Sequence, residues 1–205
     1  MEKVSAAVIL AASLLGGMET VYAYQAWKGS REHFYQVWNE RIFYAGTAVW
    51  LAFLAFTWHL GMARLWVLIS TYVLLAAVDL RWKIIPDSVL LCYLAAQLLL
   101  GAASQDAGEL FRCLAEGLAF ALILMAVSWL LRGKLGMGDA KLLGVTAMTA
   151  GWQYTIQVMI YAFAVSFVAG VWLLVFRKMS VKTEMPFVPF LTLGMALQLF
   201  VLIYF

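Results

Sequence analysis

Long apolar runs alternate with short polar stretches along the whole chain, and the lengths of the runs set the elements. The runs cover about residues 4–27, 42–60, 65–78, 88–103, 110–131, 140–150, 154–176 and 187–205. A helix rises 1.5 Å per residue and a bilayer core is about 30 Å thick, so roughly 20 apolar residues cross it. With no water at that depth to satisfy the backbone, helices are the economical way to cross. The pattern predicts an all-α polytopic membrane protein of about eight transmembrane helices. The first run exceeds the 7–15 residues of a signal-peptide core, and Lys3 is balanced by Glu2, so it reads as a retained span. The run at 140–150 would rise only about 17 Å, which leaves it short or begins it with Asp139 already at lipid depth.

The polar stretches divide the chain into sides. With eight spans, the loops at 28–41, 80–87, 132–141 and 177–184 face one compartment, and they hold eleven of the fourteen Lys and Arg residues. The positive-inside rule makes that face cytoplasmic, with both termini outside and the protein in the cytoplasmic (inner) membrane. Loop 28–41 is too short for a folded domain, so residues 1–205 read as one integral membrane domain.

Composition agrees. The chain is 65% hydrophobic and 12% charged, with mean hydropathy +0.91, far from the composition of a soluble domain. A net charge of +3 without a long basic block gives no footprint for nucleic acid. Cys92 and Cys113 lie in apolar surroundings and only two histidines are present, so neither a disulfide framework, a metal site nor a cofactor is implied. Glu19 inside the first run, and Arg112 with Glu116 four residues on, read as structural.

Two carboxylates remain. Asp139 sits in Gly136-Met137-Gly138-Asp139-Ala140-Lys141, where a basic loop meets an apolar run; Asp79 closes the third run before Ile85-Pro86-Asp87. The span count puts both at the cytoplasmic face. Such a pair can serve an ion pathway, a metal site or acid–base chemistry. Peptide hydrolysis by two carboxylates needs one ionised group to take a proton from water and one protonated group to polarise the carbonyl. Helix ends favour Asp139 as the base, at a helix start with Lys141 nearby, and Asp79 as the acid, at a helix end. Gly136 and Gly138 would let the backbone turn sharply and approach another closely, leaving an extended substrate room beside the pair. Asp87 reads first as the N-cap of the fourth span and second as a contact for a basic substrate.

Three stretches together resemble the type IV prepilin peptidases, membrane aspartyl proteases of the GxGD kind. Val78-Asp79 through Ile85-Pro86-Asp87 resembles the first aspartate motif, and Gly136 to Leu143, extending to Gly151-Trp152, resembles the second. Met185-Pro186-Phe187-Val188-Pro189-Phe190-Leu191 resembles the Pro-Phe-Gly-Pro-Phe-Leu of the last span, with Val188 in place of glycine. The similarity runs over residues 66–205. It implies an endopeptidase that removes the basic leader of a type IV prepilin or pseudopilin at the cytosolic membrane face, serving a pilus or secretion system. It also implies catalytic Asp79 and Asp139, with Gly136, Gly138, Lys141 and Asp87 around the substrate. Prepilin and membrane lipid are the implied partners; the oligomeric state is left open. Many members carry a zinc domain between the first two spans; residues 28–41 here contain no cysteine, so the resemblance is to the minimal form and methyltransferase activity does not carry over. The competing class is a proton- or ion-coupled transporter using intramembrane aspartates.

Overall fold

Each apolar run folds into one helix. In a computed structural model of the chain, which describes residues 6–28, 40–57, 60–104, 107–130, 136–177 and 185–204, the order is α1 (Ala6–Lys28), α2 (Glu40–Thr57), α3 (Leu60–Trp82), α4 (Asp87–Ser104), α5 (Ala107–Leu130), α6 (Met137–Ala150), α7 (Trp152–Arg177) and α8 (Val188–Tyr204). Stretches Ala63–Trp82, Ala107–Leu130 and Trp152–Phe176 are long and apolar enough to cross a membrane, and Asp87–Ala103 and Val188–Leu202 are shorter apolar helices. The fold is an all-α membrane-type bundle. Most of the loop expected at 28–41, together with the basic residues Arg132 and Lys134, lies outside the described residues.

Two boundaries differ from expectation, with consequences for the site. Helix α3 starts at Leu60, so Arg64 is helical, and it runs one turn past the expected end, which puts Asp79 inside it. The Lys83 N–H still donates to the Asp79 carbonyl at 2.9 Å. Lys83 then adopts φ 54, a left-handed residue just past the helix end, and Pro86 prevents the helix from resuming before α4. Helix α6 starts at Met137 rather than at 140. Its 14 residues rise about 21 Å, still short of a bilayer core.

Packing is strongest within the pairs α1–α2, α5–α6 and α7–α8, and small residues set each contact. A Cβ on Gly117 of α5 would overlap the Met148 backbone on α6, and one on Gly194 of α8 would stand 2.5 Å from the Val158 carbonyl of α7. Lipid chains are as apolar as leucine, so helix association in a bilayer depends on such close backbone approach rather than on burying oily side chains. Helices α1, α3, α8, α7, α6 and α4 contact one another in a ring, with α3 also touching α4. The interior is built from α3, α4 and α6, with Tyr72, Leu75, Val78, Tyr93, Leu142 and Leu143 fully buried. Helices α5 and α7 turn Phe111, Ile123, Trp129, Phe167 and Trp172 outward, as lipid-facing helices do.

Candidate active site

Helix α3 ends and α6 begins at the same end of the bundle. The turn from Lys83 to Pro86 folds over that end, and together they enclose a cavity of about 380 Å³ lined by Asp79, Lys83, Ile84, Ile85, Asp87, Gly136, Met137, Gly138, Asp139 and Lys141. All six residues that the sequence singles out therefore meet in one place, 60 positions apart for the two aspartates. Asp139 lies close enough to Asp79 to feel its charge.

The two carboxylates have different surroundings. Asp79 is 7% exposed, and its Oδ2 accepts the backbone N–H of Val188 at 3.0 Å. Val188 is the first residue of α8, and the Phe187 carbonyl accepts the first two intrahelical bonds, from Phe190 and Leu191. Asp79 thus closes α3 and at the same time satisfies an orphan donor at the start of α8, the positive end of a helix. Asp139 is half-buried and accepts no hydrogen bond from the described residues. Gly136 occupies the N-cap position of α6 with no side-chain cap, so Asp139 is not there to cap its own helix.

The glycines act through clearance, not through backbone freedom. Gly136 has φ −55 and ψ 127, which any residue can adopt, and among the described glycines only Gly151 has a positive φ. A Cβ on Gly136 would instead stand 2.6 Å from Asp139 Oδ2, and one on Gly138 would stand 3.2 Å from Ile85 Cβ and Cδ1. The expected sharp turn is corrected accordingly: the two positions make room for a carboxylate and for the side chain of the α3–α4 turn.

Asp87 is also corrected. Pro86, not Asp87, supplies the carbonyl that opens α4, accepting from Val89 and Leu90 at 3.2 and 3.3 Å. The Asp87 carboxylate is turned to Lys141, whose Nζ donates to Oδ1 at 2.8 Å and Oδ2 at 3.0 Å. That ion pair ties α4 to α6 and directs the Lys141 charge to Asp87. Of the expected structural groups, Glu19 is buried and accepts from Thr71 and Ser70 of α3 at 2.6 and 3.3 Å. Arg112 reaches Glu109 at 2.8 Å and Glu116 at 4.0 Å.

Sequence reasoning missed the Val188 amide and the packing of Ile85 under Gly138. A signal for the first was present: Pro186 and Pro189 announce a helix start, and a helix start attracts a carboxylate. Nothing in the sequence said which carboxylate.

No curated protein and no solved structure matches this chain. A family model does match, over residues 66–175, and it is that of the type IV leader peptidase family. The matched segment contains both aspartates and every residue lining the cavity between them, while the 185–191 stretch lies beyond it and joins the site through the Val188 amide. With more than half of its length matched, the chain belongs to the type IV leader peptidase family.

Proposed function

We propose that this protease cleaves the basic leader from a prepilin or pseudopilin at the cytosolic face of the inner membrane, with Asp79 and Asp139 as its catalytic pair. The observation that carries the reading is the shared cavity, in which two carboxylates from helices distant in the chain face one space with different hydrogen-bonding environments. A prepilin has a basic leader followed by a long apolar helix. A cavity at the end of a membrane bundle suits a cut at the boundary between the two, and Asp87, Lys141, Gly136 and Gly138 line that cavity beside the aspartates.

We infer roles opposite to those expected from helix ends. A hydrogen bond to the charged form of a carboxylate favours that form, and Asp79 accepts one from Val188, whereas Asp139 accepts none from the described residues and Lys141 is turned to Asp87. The charge belongs on Asp79 and the single proton on Asp139. Two adjacent carboxylates cannot easily both ionise, which keeps that proton in place. In the first step Asp79 takes a proton from water while the water oxygen bonds to the scissile carbonyl carbon, and the Asp139 proton passes to the carbonyl oxygen. In the second step the gem-diol returns a proton to Asp139, the C–N bond breaks, and Asp79 delivers its proton to the departing amine. Both carboxyls then stand as they began.

The test is cleavage of a purified prepilin by the detergent-solubilised protein, read as a shortened product with a new N-terminus by mass spectrometry. Asp79→Asn and Asp139→Asn each abolish cleavage and stay folded, since the carboxamide oxygen introduced by Asp79→Asn still accepts the Val188 amide. Retained cleavage in either variant overturns the pair, and an aspartate-dependent ion flux in proteoliposomes without cleavage would replace the protease by a carrier.

A further inference from the structure

Between the aspartate-bearing helices runs a buried polar contact that the chemistry above does not use. Tyr72 of α3 and Thr146 of α6 are both fully buried, and their hydroxyl oxygens are 2.8 Å apart. Thr146 also donates to the Leu142 carbonyl at 2.9 Å. A hydroxyl has one hydrogen, so Tyr72 is the donor and Thr146 the acceptor between the helices. Thr192 Oγ1 of α8 lies 3.2 Å from the Tyr72 carbonyl and 3.0 Å from the Val188 carbonyl, so its one hydrogen serves one of the two at a time.

The spacing gives the contact its meaning. Asp79 is seven residues from Tyr72, and Asp139 is seven residues from Thr146. Seven residues rise about 10.5 Å and turn about 700°, close to two full turns, so each aspartate lies on the same face of its helix as its pinned hydroxyl. The helices are antiparallel, since Arg64 of α3 donates to the Thr149 carbonyl of α6 and both aspartates line the cavity at the other end. Counting equal distances from one contact in the same direction brings both carboxylates to one level.

Helix α6 packs mainly on α5, and also on α7 and α4, rather than tightly on α3, and the Arg64–Thr149 bond ties the two at the end away from the cavity, which leaves the Tyr72–Thr146 contact as the pin nearer the aspartates. The closest of these interfaces, α5–α6, holds α6 to a helix that carries no part of the cavity. Sliding that pair along α3 would separate the carboxylates while leaving the pair's own packing intact. Resting on the catalytic pair assigned above, we propose that Tyr72 and Thr146 are positioning residues whose hydrogen bond sets the register of α3 against α6 and so the alignment of Asp79 with Asp139.

Steady-state cleavage by four variants tests this. Tyr72→Phe keeps the ring and leaves Thr146 bonded to Leu142, so the fold is retained; misalignment of reacting groups by about 1 Å costs up to about 100-fold, and kcat falls between about 10- and 100-fold with KM within about two-fold. Thr146→Val does the same from the other helix, and Thr146→Ser, which keeps the hydroxyl, restores kcat. Thr149→Val is the control: it removes a similar buried hydroxyl contact, to Tyr93 of α4 at 3.0 Å, and lowers the melting temperature as Thr146→Val does while kcat stays within about two-fold of the parent. Should Tyr72→Phe not fold, the contrast of Thr146→Val with Thr146→Ser decides alone. Wild-type kcat in Tyr72→Phe, failure of Thr146→Ser to restore it, or an equal kcat loss in Thr149→Val overturns the register pin. If Asp79→Asn or Asp139→Asn still cleaves, the catalytic pair itself is wrong, which is a separate result.

Discussion

Replacing Gly136 by alanine separates activity from stability in this protein. Its φ and ψ suit alanine, so the backbone does not object, and the whole effect falls on one neighbour. The added Cβ stands 2.6 Å from Asp139 Oδ2, where ordinary contact begins at 3.4 Å, so the carboxylate has to withdraw by about 0.8 Å. Asp139 is at the rim of a cavity and accepts no hydrogen bond from the described residues, so it can swing away at little cost. Replacing glycine by alanine where the backbone tolerates it also removes freedom from the unfolded chain, worth about 0.4–1 kcal/mol. Gly136→Ala therefore melts at or slightly above the parent temperature in detergent. Its kcat falls about 10- to 100-fold, because a shift approaching 1 Å in a reacting group costs up to about two orders of magnitude. Gly138→Ala differs in kind, since its Cβ meets Ile85 in the α3–α4 turn at 3.2 Å and lowers the melting temperature along with the rate. Thermal unfolding and prepilin cleavage on the same preparations check both. A Gly136→Ala enzyme with parental kcat, or one whose lost activity tracks unfolding, refutes the clearance argument.

Three further perturbations read other parts of the site. Val188→Pro deletes the amide that Asp79 accepts at the first position of α8, where proline is well tolerated; a hydrogen bond to a charged group is worth about 1.5–3 kcal/mol, so kcat falls about 10- to 150-fold with α8 intact by circular dichroism. Gly117→Ala drives a methyl into the Met148 backbone, which cannot give way as a side chain can, and costs about 2 kcal/mol or more in unfolding free energy, read from denaturant titration. Asp87→Asn breaks an ion pair whose side chains are 41% and 66% exposed, so stability changes by less than about 1 kcal/mol, while KM for a basic leader rises.

The helices were legible because their cause is local. An apolar run of about 20 residues has to satisfy its own backbone in a membrane, and neighbouring residues suffice to do so. Pro86 ending one polar turn and Gly151 closing another are equally local signals. That Asp79 and Asp139 belong at one end of the bundle followed from counting spans, and the motif around Asp139 is a short contiguous string. These readings needed no knowledge of which helix lies beside which.

What the tertiary structure decided was every pairing between helices. Asp79 looked like the end of α3 alone; packing α8 beside it adds a backbone amide from 109 residues away, the contact on which the proposed charge at Asp79 rests. Gly136 and Gly138 looked like turn glycines, and their neighbours in space make them clearance glycines. Asp87 looked like a cap until α6 brought Lys141 within 2.8 Å. A run of apolar residues specifies that a helix forms and how long it is, because those terms depend on residues three or four apart; which side chains then meet depends on the rotation and height of whole helices, and these are set by contacts that no window along the chain contains.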